Sequence, residues 1–178
     1  MATVLAHAAV ALSFGRAATR KKMPLRFWVL SVLCSCLPDA DVIAFAIGIP
    51  YEAALGHRGF SHSLVFAALV GVIVVGLAFP GVRPASRRWW QMVAYFFVLT
   101  ASHGVIDAAT NGGLGIAFLS PFDTTRYFLP WRPLEVSPIG PAFFSGWGLR
   151  VLASELMWIG PPCMLMLLAA RMTRRTSK

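Results

Sequence analysis

The sequence predicts an all-α, polytopic membrane protein, and three observations carry that reading. Mean hydropathy is +0.68. Hydrophobic residues make up 57% of the chain and charged residues only 13%, far from the balance of an ordinary soluble domain. Long apolar runs recur at 64–80, 89–102 and 151–170, each approaching the roughly 20 residues that cross a bilayer core as helix. Trp28, Trp89, Trp90 and Trp147 stand near the ends of apolar segments, where interfacial aromatics belong. At 178 residues the chain reads as one membrane-embedded domain, 1–178.

Five helical segments follow in order. The first covers about 2–14, too short to span without tilt or local thinning. Its positive charges follow the apolar run, the reverse of a secretory signal, so it is expected to be retained. The second runs from about Phe27 toward Ile49 and is interrupted at Pro38, which lacks the N–H that a helix interior needs. The third begins near His62 and ends before Pro80. The fourth covers about 88–109 and the fifth about 149–170. Between these last two lies a connection, 110–148, rich in Gly, Pro and aromatics. Connections of that length are uncommon in compact domains. The aromatic content argues for a folded cap on the membrane surface.

The net charge of +9 invites a nucleic-acid reading, but its distribution argues for membrane topology instead. Twelve of the sixteen basic residues form three clusters: Arg16, Arg20, Lys21, Lys22 and Arg26; Arg83, Arg87 and Arg88; Arg171, Arg174, Arg175 and Lys178. Placed in the cytoplasm, they satisfy the positive-inside rule at three alternate connections. No nucleic-acid-reading module accompanies the charge, so no nucleic-acid partner is expected. Cys34, Cys36 and Cys163 read as small buried packing residues.

Ionisable residues inside these apolar stretches are the most informative feature. They are His7, Asp39, Asp41, His57, His62, His103 and Asp107. They take in all four histidines and three of the seven acids. Each ionisable group in hydrocarbon costs about 2.5–3.5 kcal/mol even on lenient scales, so such residues usually mark a site. Imidazole with carboxylate is the ligand set of zinc, manganese or iron.

His103 and Asp107, four apart on a helix, project from one face; alone, such a pair is as readily a simple hydrogen bond. Asp39 and Asp41 follow directly on the break at Pro38, where freed backbone groups need a protein or wet environment. His57 and His62 lie in 56–63, read as a loop with Ser61 as the N-cap of the next helix and His62 in its first turn. Arg58 suits a phosphate or a carboxylate partner. His7 is the weakest member taken alone. In the cap, Asp123, Arg126, Arg132 and Glu135 are candidates to position a substrate, with Tyr127 and Trp131 as a headgroup-binding lip. With the basic clusters inside, all seven ligand candidates converge toward the non-cytoplasmic face.

The strings that carry these residues stand in a fixed order: His7, Leu37-Pro38-Asp39-Ala40-Asp41, Gly56-His57-Arg58-Gly59-Phe60-Ser61-His62-Ser63, Ser102-His103-Gly104-Val105-Ile106-Asp107 and Thr110-Asn111-Gly112-Gly113. The pattern resembles the bacterial inner-membrane family described as membrane-bound metal-dependent hydrolases, which includes a LexA-regulated inner-membrane protein. The resemblance runs over about 3–140 and is most specific in the His-Arg-Gly-Phe-Ser-His-Ser string. Carried over position by position, it implies a metal held by His7, Asp39, Asp41, His57, His62, His103 and Asp107. Some relatives have a histidine after the second aspartate of the break, where this chain has Val42. A distant likeness of that family to helical zinc-dependent phospholipases C implies a phospholipid or another phosphodiester as substrate.

The expectation is therefore a multi-pass bacterial inner-membrane hydrolase with its basic loops cytoplasmic. A metal-activated water attacks an ester or phosphodiester of an amphipathic substrate. The cofactor is a divalent metal, zinc first with manganese or iron as alternatives, as one ion or two. Asp41 or Asp107 serves as general base, and Arg58, Arg126 and Arg132 meet the substrate. The competing readings are a metal or proton transporter and a non-catalytic scaffold with a structural metal site.

Overall fold

A computed structural model describes residues 1–175, so Lys178 of the third basic cluster lies outside the described residues. Helices dominate, and the only β-type pairings among the described residues are two isolated bridges. This is the all-α architecture that the hydropathy predicts. Helix α1 covers Val4–Ala18 rather than 2–14, because Thr3 in extended conformation caps it and its side chain accepts from the Ala6 N–H. Helix α2 covers Leu25–Cys36. Beyond it Pro38 removes a helical donor, and the chain tightens into a 3-10 helix, Leu37–Val42, before the short α3, Ile43–Ala46.

A second 3-10 turn, Phe60–His62, leads into α4, Leu64–Ala78. Ser63, not Ser61, caps α4 through the Phe66 N–H. Helix α5 is Arg87–Ala108. The expected fifth helix is two, α6 at Gly146–Trp158 and α7 at Gly160–Arg175. Pro161 and Pro162 fall in the first turn of α7, where a missing N–H costs nothing. Two stretches, Leu25–Ala46 and Gly146–Arg174, are long and apolar enough to cross a membrane. Helices α1 and α4, at 15 residues each, are shorter.

Helix α4 packs on α5, α2 packs on α5, and α1 lies between α2 and α7. Phe27, Val75, Phe79, Val93, Tyr95, Phe96 and Leu99 form the apolar core of one half. Its polar pair is Ser31, which donates to the Phe27 carbonyl at 2.7 Å and lies 2.8 Å from the Tyr95 hydroxyl. The first and third basic clusters share one end of the bundle: Arg174 donates to the carbonyls of Arg16 (2.7 Å) and Thr19. Arg26 sits over the Phe79 ring at the end of α4 (5.1 Å), which brings the connection holding Arg83 to that same end.

The long connection folds back on the opposite end. Leu129 and Leu134 donate to the carbonyls of Ala108 (2.9 Å) and Ala109 (3.2 Å). Ala117 N–H reaches the Arg58 carbonyl (3.1 Å), and Ser137 N–H reaches the Met1 carbonyl (2.9 Å). A 3-10 helix, Gly140–Phe144, precedes α6.

Candidate metal centre

Four elements deliver their ionisable side chains to the end of the bundle away from the basic clusters. His7 comes from the second turn of α1, Asp39 and Asp41 from the 3-10 helix after α2, His57 and His62 from the loop before α4, and His103 and Asp107 from the end of α5. A 3-10 helix turns about 120° per residue, so residues two apart diverge by about that angle. Asp39 and Asp41 consequently grip His62 from two sides. Asp39 Oδ1 lies 3.6 Å from His62 Nε2, while Asp41 Oδ2 lies 3.2 Å from His62 Nδ1.

Asp39, His62, His103 and Asp107 are all buried and offer ligand atoms within 4.8 Å of one another. His103 Nε2 is 3.2 Å from both His62 Nε2 and Asp39 Oδ1, and 4.0 Å from Asp107 Oδ2. His103 Nδ1 lies 2.7 Å from the Ser35 carbonyl oxygen, which can only accept. Nδ1 therefore carries the hydrogen, and Nε2 presents a lone pair inward. On the other side, Ser61 donates to Asp41 Oδ2 (2.5 Å). With its own hydrogen committed, the Ser61 oxygen accepts from His62 Nδ1 at 3.0 Å, so His62 Nε2 also faces inward as a lone pair. In the neutral tautomers that these contacts favour, two imidazole lone pairs and two carboxylates meet.

His7 stacks on His103, ring centroids 3.8 Å apart, with Nε2 at 3.6 Å from Asp107 Oδ1. Both of its ring nitrogens, both oxygens of Asp39 and Oδ2 of Asp107 are buried without a hydrogen-bond partner. Buried polar atoms are normally satisfied, so this concentration of orphans points to a cation that the donor set would hold. Imidazole nitrogen with carboxylate oxygen fits zinc, manganese or iron.

Asp41 and His57 are placed differently. Asp41 accepts from His57 Nδ1 (2.5 Å), from the Arg58 N–H (3.1 Å) and from Ser61. All seven predicted residues thus share one end, five of them lining the inner cluster.

The three arginines expected to meet substrate are placed in three different ways. Arg58 is wholly buried, in left-handed backbone conformation at φ 63°. Its guanidinium donates to the Gly112 carbonyl (2.8 Å) and Thr110 Oγ1 (3.0 Å), and its Nε lies 3.3 Å from Asp107 Oδ2. Of the two partners its chemistry suits, the carboxylate is the one beside it. Half-buried Arg126 donates to the carbonyls of His57, Tyr51 and Ala53, pinning that loop. Burial lowers its pKa and raises that of the Tyr51 hydroxyl beneath it. Exposed Arg132 lies over the Phe128 ring at 4.5 Å. Asp123 takes a hydrogen bond from the Thr125 N–H (2.8 Å), and its Thr125 hydrogen bonds draw its pKa down.

Sequence reasoning passed over three contributors. Ser35 acts through its carbonyl, which no side-chain pattern reveals. Thr110 stands beside the Asn-Gly-Gly string and could have been suspected from it. Glu155, the single acid of an apolar run, is buried and accepts from the Thr3 N–H (2.5 Å) and hydroxyl (2.6 Å). Next to that contact, the Ala2 N–H donates to Asp107 Oδ1 at 2.6 Å.

Comparison with known proteins places the whole chain. The family described as YdjM inner membrane protein matches residues 1–177. The inner membrane protein YbcI of Escherichia coli (strain K12) is 38% identical over 168 residues, covering 94% of this chain and 95% of that protein. No solved structure matches the chain.

Proposed function

Because the chain belongs to the YdjM inner membrane protein family, we propose that it is a metal-dependent hydrolase of the inner membrane, acting on an ester or phosphodiester of an amphipathic substrate. The observation that supports this best is the meeting of the His62 and His103 lone pairs with Asp39 and Asp107. Structural zinc sites are typically rich in cysteine. Here the cluster is nitrogen and oxygen only, and Cys34, Cys36 and Cys163 are free thiols outside it. A divalent ion bound there supplies a Lewis acid that activates water and offsets charge developing on an acyl or phosphoryl oxygen. His62, His103, Asp39 and Asp107 would hold it, with His7 stacked alongside.

The other residues orient that set. The Ser35 carbonyl turns His103, Ser61 and Asp41 turn His62, and Arg58 fixes Asp107. Asp39 is the most exposed of the four, at 7%, and neither of its oxygens carries a hydrogen bond. While one Asp39 oxygen would bind the ion, the other, unlike the engaged oxygens of Asp41, would be free to take a proton from water. For an amphipathic substrate, a groove of about 680 Å³ runs along the other face of α5 past Val98, Ser102 and Ile106 to Leu129, Trp131 and Leu134. With the basic clusters in the cytoplasm, site and cap face the outer leaflet.

A transporter would need polar groups continuing through the bundle. Along α5 the site is followed instead by Leu99, Phe96 and Val93, all buried in the apolar core. A structural metal site is the second reading, favoured by burial of all four ligands at 7% exposure or less. The test is metal content of detergent-purified protein, wild type against His62→Ala and Asp107→Ala, followed by hydrolysis assays on phospholipids and soluble phosphodiesters. Stoichiometric metal with turnover that Asp39→Asn abolishes supports the hydrolase. Stoichiometric metal without turnover of either substrate class leaves the structural site.

A further inference from the structure

Resting on that reading of the metal site, we infer that the centre takes a single divalent ion and that Asp41 is a positioning residue for His62, not a ligand of a second ion. A second ligand group is sterically available: Asp41, His57 and His62 also offer atoms within 4.8 Å of one another. Three features of the geometry argue against its use.

The first is that most of the acceptor capacity of Asp41 is taken. A carboxylate offers about four acceptor sites. Asp41 Oδ1 accepts from His57 Nδ1, and Oδ2 accepts from the Arg58 N–H and the Ser61 hydroxyl, with His62 Nδ1 a further 3.2 Å away. None of these groups appears among the buried orphans, whereas Asp39 and Asp107 do. Three carboxylate oxygens of the inner set lack a hydrogen, whereas both oxygens of Asp41 have one.

The second is that His62 belongs to both groups. Serving both would require it to give both ring nitrogens to metal, which means losing the Nδ1 hydrogen and becoming an imidazolate. The Ser61 oxygen and Asp41 Oδ2, both acceptors at 3.0 and 3.2 Å, instead hold that hydrogen in place.

The third is charge. Asp39, Asp41 and Asp107 against Arg58 sum to −2, which one divalent ion cancels and two would overshoot. The Met1 α-amino group, 4.0 Å from Asp107 Oδ2, and the buried Glu155 add one charge of each sign. In a buried site uncompensated charge is costly, so neutrality selects one ion. Asp41 then acts through His62, fixing its tautomer and ring angle, while His57 and Ser61 hold Asp41.

The experiment uses the full chain in detergent, loaded with Zn²⁺ or Co²⁺ and freed of excess metal. Metal per chain is read by mass spectrometry, affinity by chelator competition, and ligand geometry by Co²⁺ absorption. The variants are Asp41→Asn, His57→Ala and the milder Ser61→Ala, with His62→Ala as reference. One ion per chain is expected in wild type and in all three variants. Affinity should fall about 10–100-fold in Asp41→Asn and less in Ser61→Ala, with a shifted Co²⁺ spectrum that a merely structural change elsewhere would not produce. Two ions in wild type, dropping to one in Asp41→Asn or His57→Ala, would overturn the inference while leaving the metal site standing. Unchanged affinity and spectrum in Asp41→Asn would overturn the positioning role. No ion in folded wild type would overturn the metal reading itself, and this inference with it.

Discussion

The Nε2 atoms of His62 and His103 face each other at 3.2 Å, and each ring is turned that way by what its Nδ1 touches. On His103 the partner is the Ser35 carbonyl; on His62 it is the Ser61–Asp41 pair. Two inward lone pairs at this separation repel each other unless a cation lies between them. The same point is approached by two carboxylates. A divalent ion held between these four groups would relieve that repulsion.

Removing metal should therefore destabilise the folded protein. A ligand bound only by the native state adds about 2.7 kcal/mol of stability at a hundred times its Kd. Thermal unfolding in detergent is expected to shift down on chelation and recover with Zn²⁺, while His62→Ala shows no response to either. A wild-type transition indifferent to chelator and metal would contradict this.

Arg58 is a buried cation whose loss strands Asp107. Breaking one side of a buried pair costs about 3–5 kcal/mol. Arg58→Met should lower the unfolding midpoint accordingly, and adding Asp107→Asn should cost less than the sum of the two single changes. Gly113 belongs to the same unit: its φ is +84°, and a Cβ there would stand 2.5 Å from Arg58 Nη1. Gly113→Ala is expected to destabilise by the same assay.

Glu155 ties the start of α1 to α6 through both groups of Thr3. Glu155→Ala leaves the Thr3 N–H without its acceptor inside the protein, a cost of about 1–3 kcal/mol. Thr3→Val keeps the backbone bond and should cost less. Equal effects of the two substitutions would show that the backbone bond contributes nothing.

Gly15 lets α1 approach the Ser31–Tyr95 pair. A Cβ at Gly15 would lie 2.7 Å from the Tyr95 hydroxyl and 2.9 Å from the Trp28 ring. Overpacking of this kind costs about 1–3 kcal/mol. Gly15→Ala should destabilise, and Tyr95→Phe in the same chain should recover part of the loss by removing the nearest atom. Additive losses would place the clash at Trp28 instead.

Sidedness is testable by labelling. In a chain with Cys34, Cys36 and Cys163 replaced, single cysteines at exposed Lys21 and Phe122 should react from opposite sides, Lys21 from the cytoplasm. Lys21 reacting from outside would invert the proposed orientation of the site.

Much of this was legible in the chain itself. Hydropathy gave the helical segments because a bilayer leaves helices as the economical way to satisfy backbone groups. Pro38 announced the break that carries Asp39 and Asp41, since proline cannot donate. Ionisable residues in apolar stretches announced the site, and the family match covers the same strings. The split of the fifth segment is also written there, in Gly160-Pro161-Pro162.

Roles within the site were another matter. Sequence could list Asp39 and Asp41 side by side, but only the 3-10 geometry sends one to Nε2 and the other to Nδ1 of the same imidazole. It could offer Ser61 as a cap, but the register of α4 gives that work to Ser63 and frees Ser61 for Asp41. For Arg58 the residue type leaves phosphate and carboxylate equally open; folding of 110–118 over it makes it a buried partner of Asp107. Which residues are chemically able to hold a cation is a property of side-chain type, so sequence determines it. Which of them keep a lone pair free depends on where every neighbouring hydrogen points, and that is decided only when the helices pack.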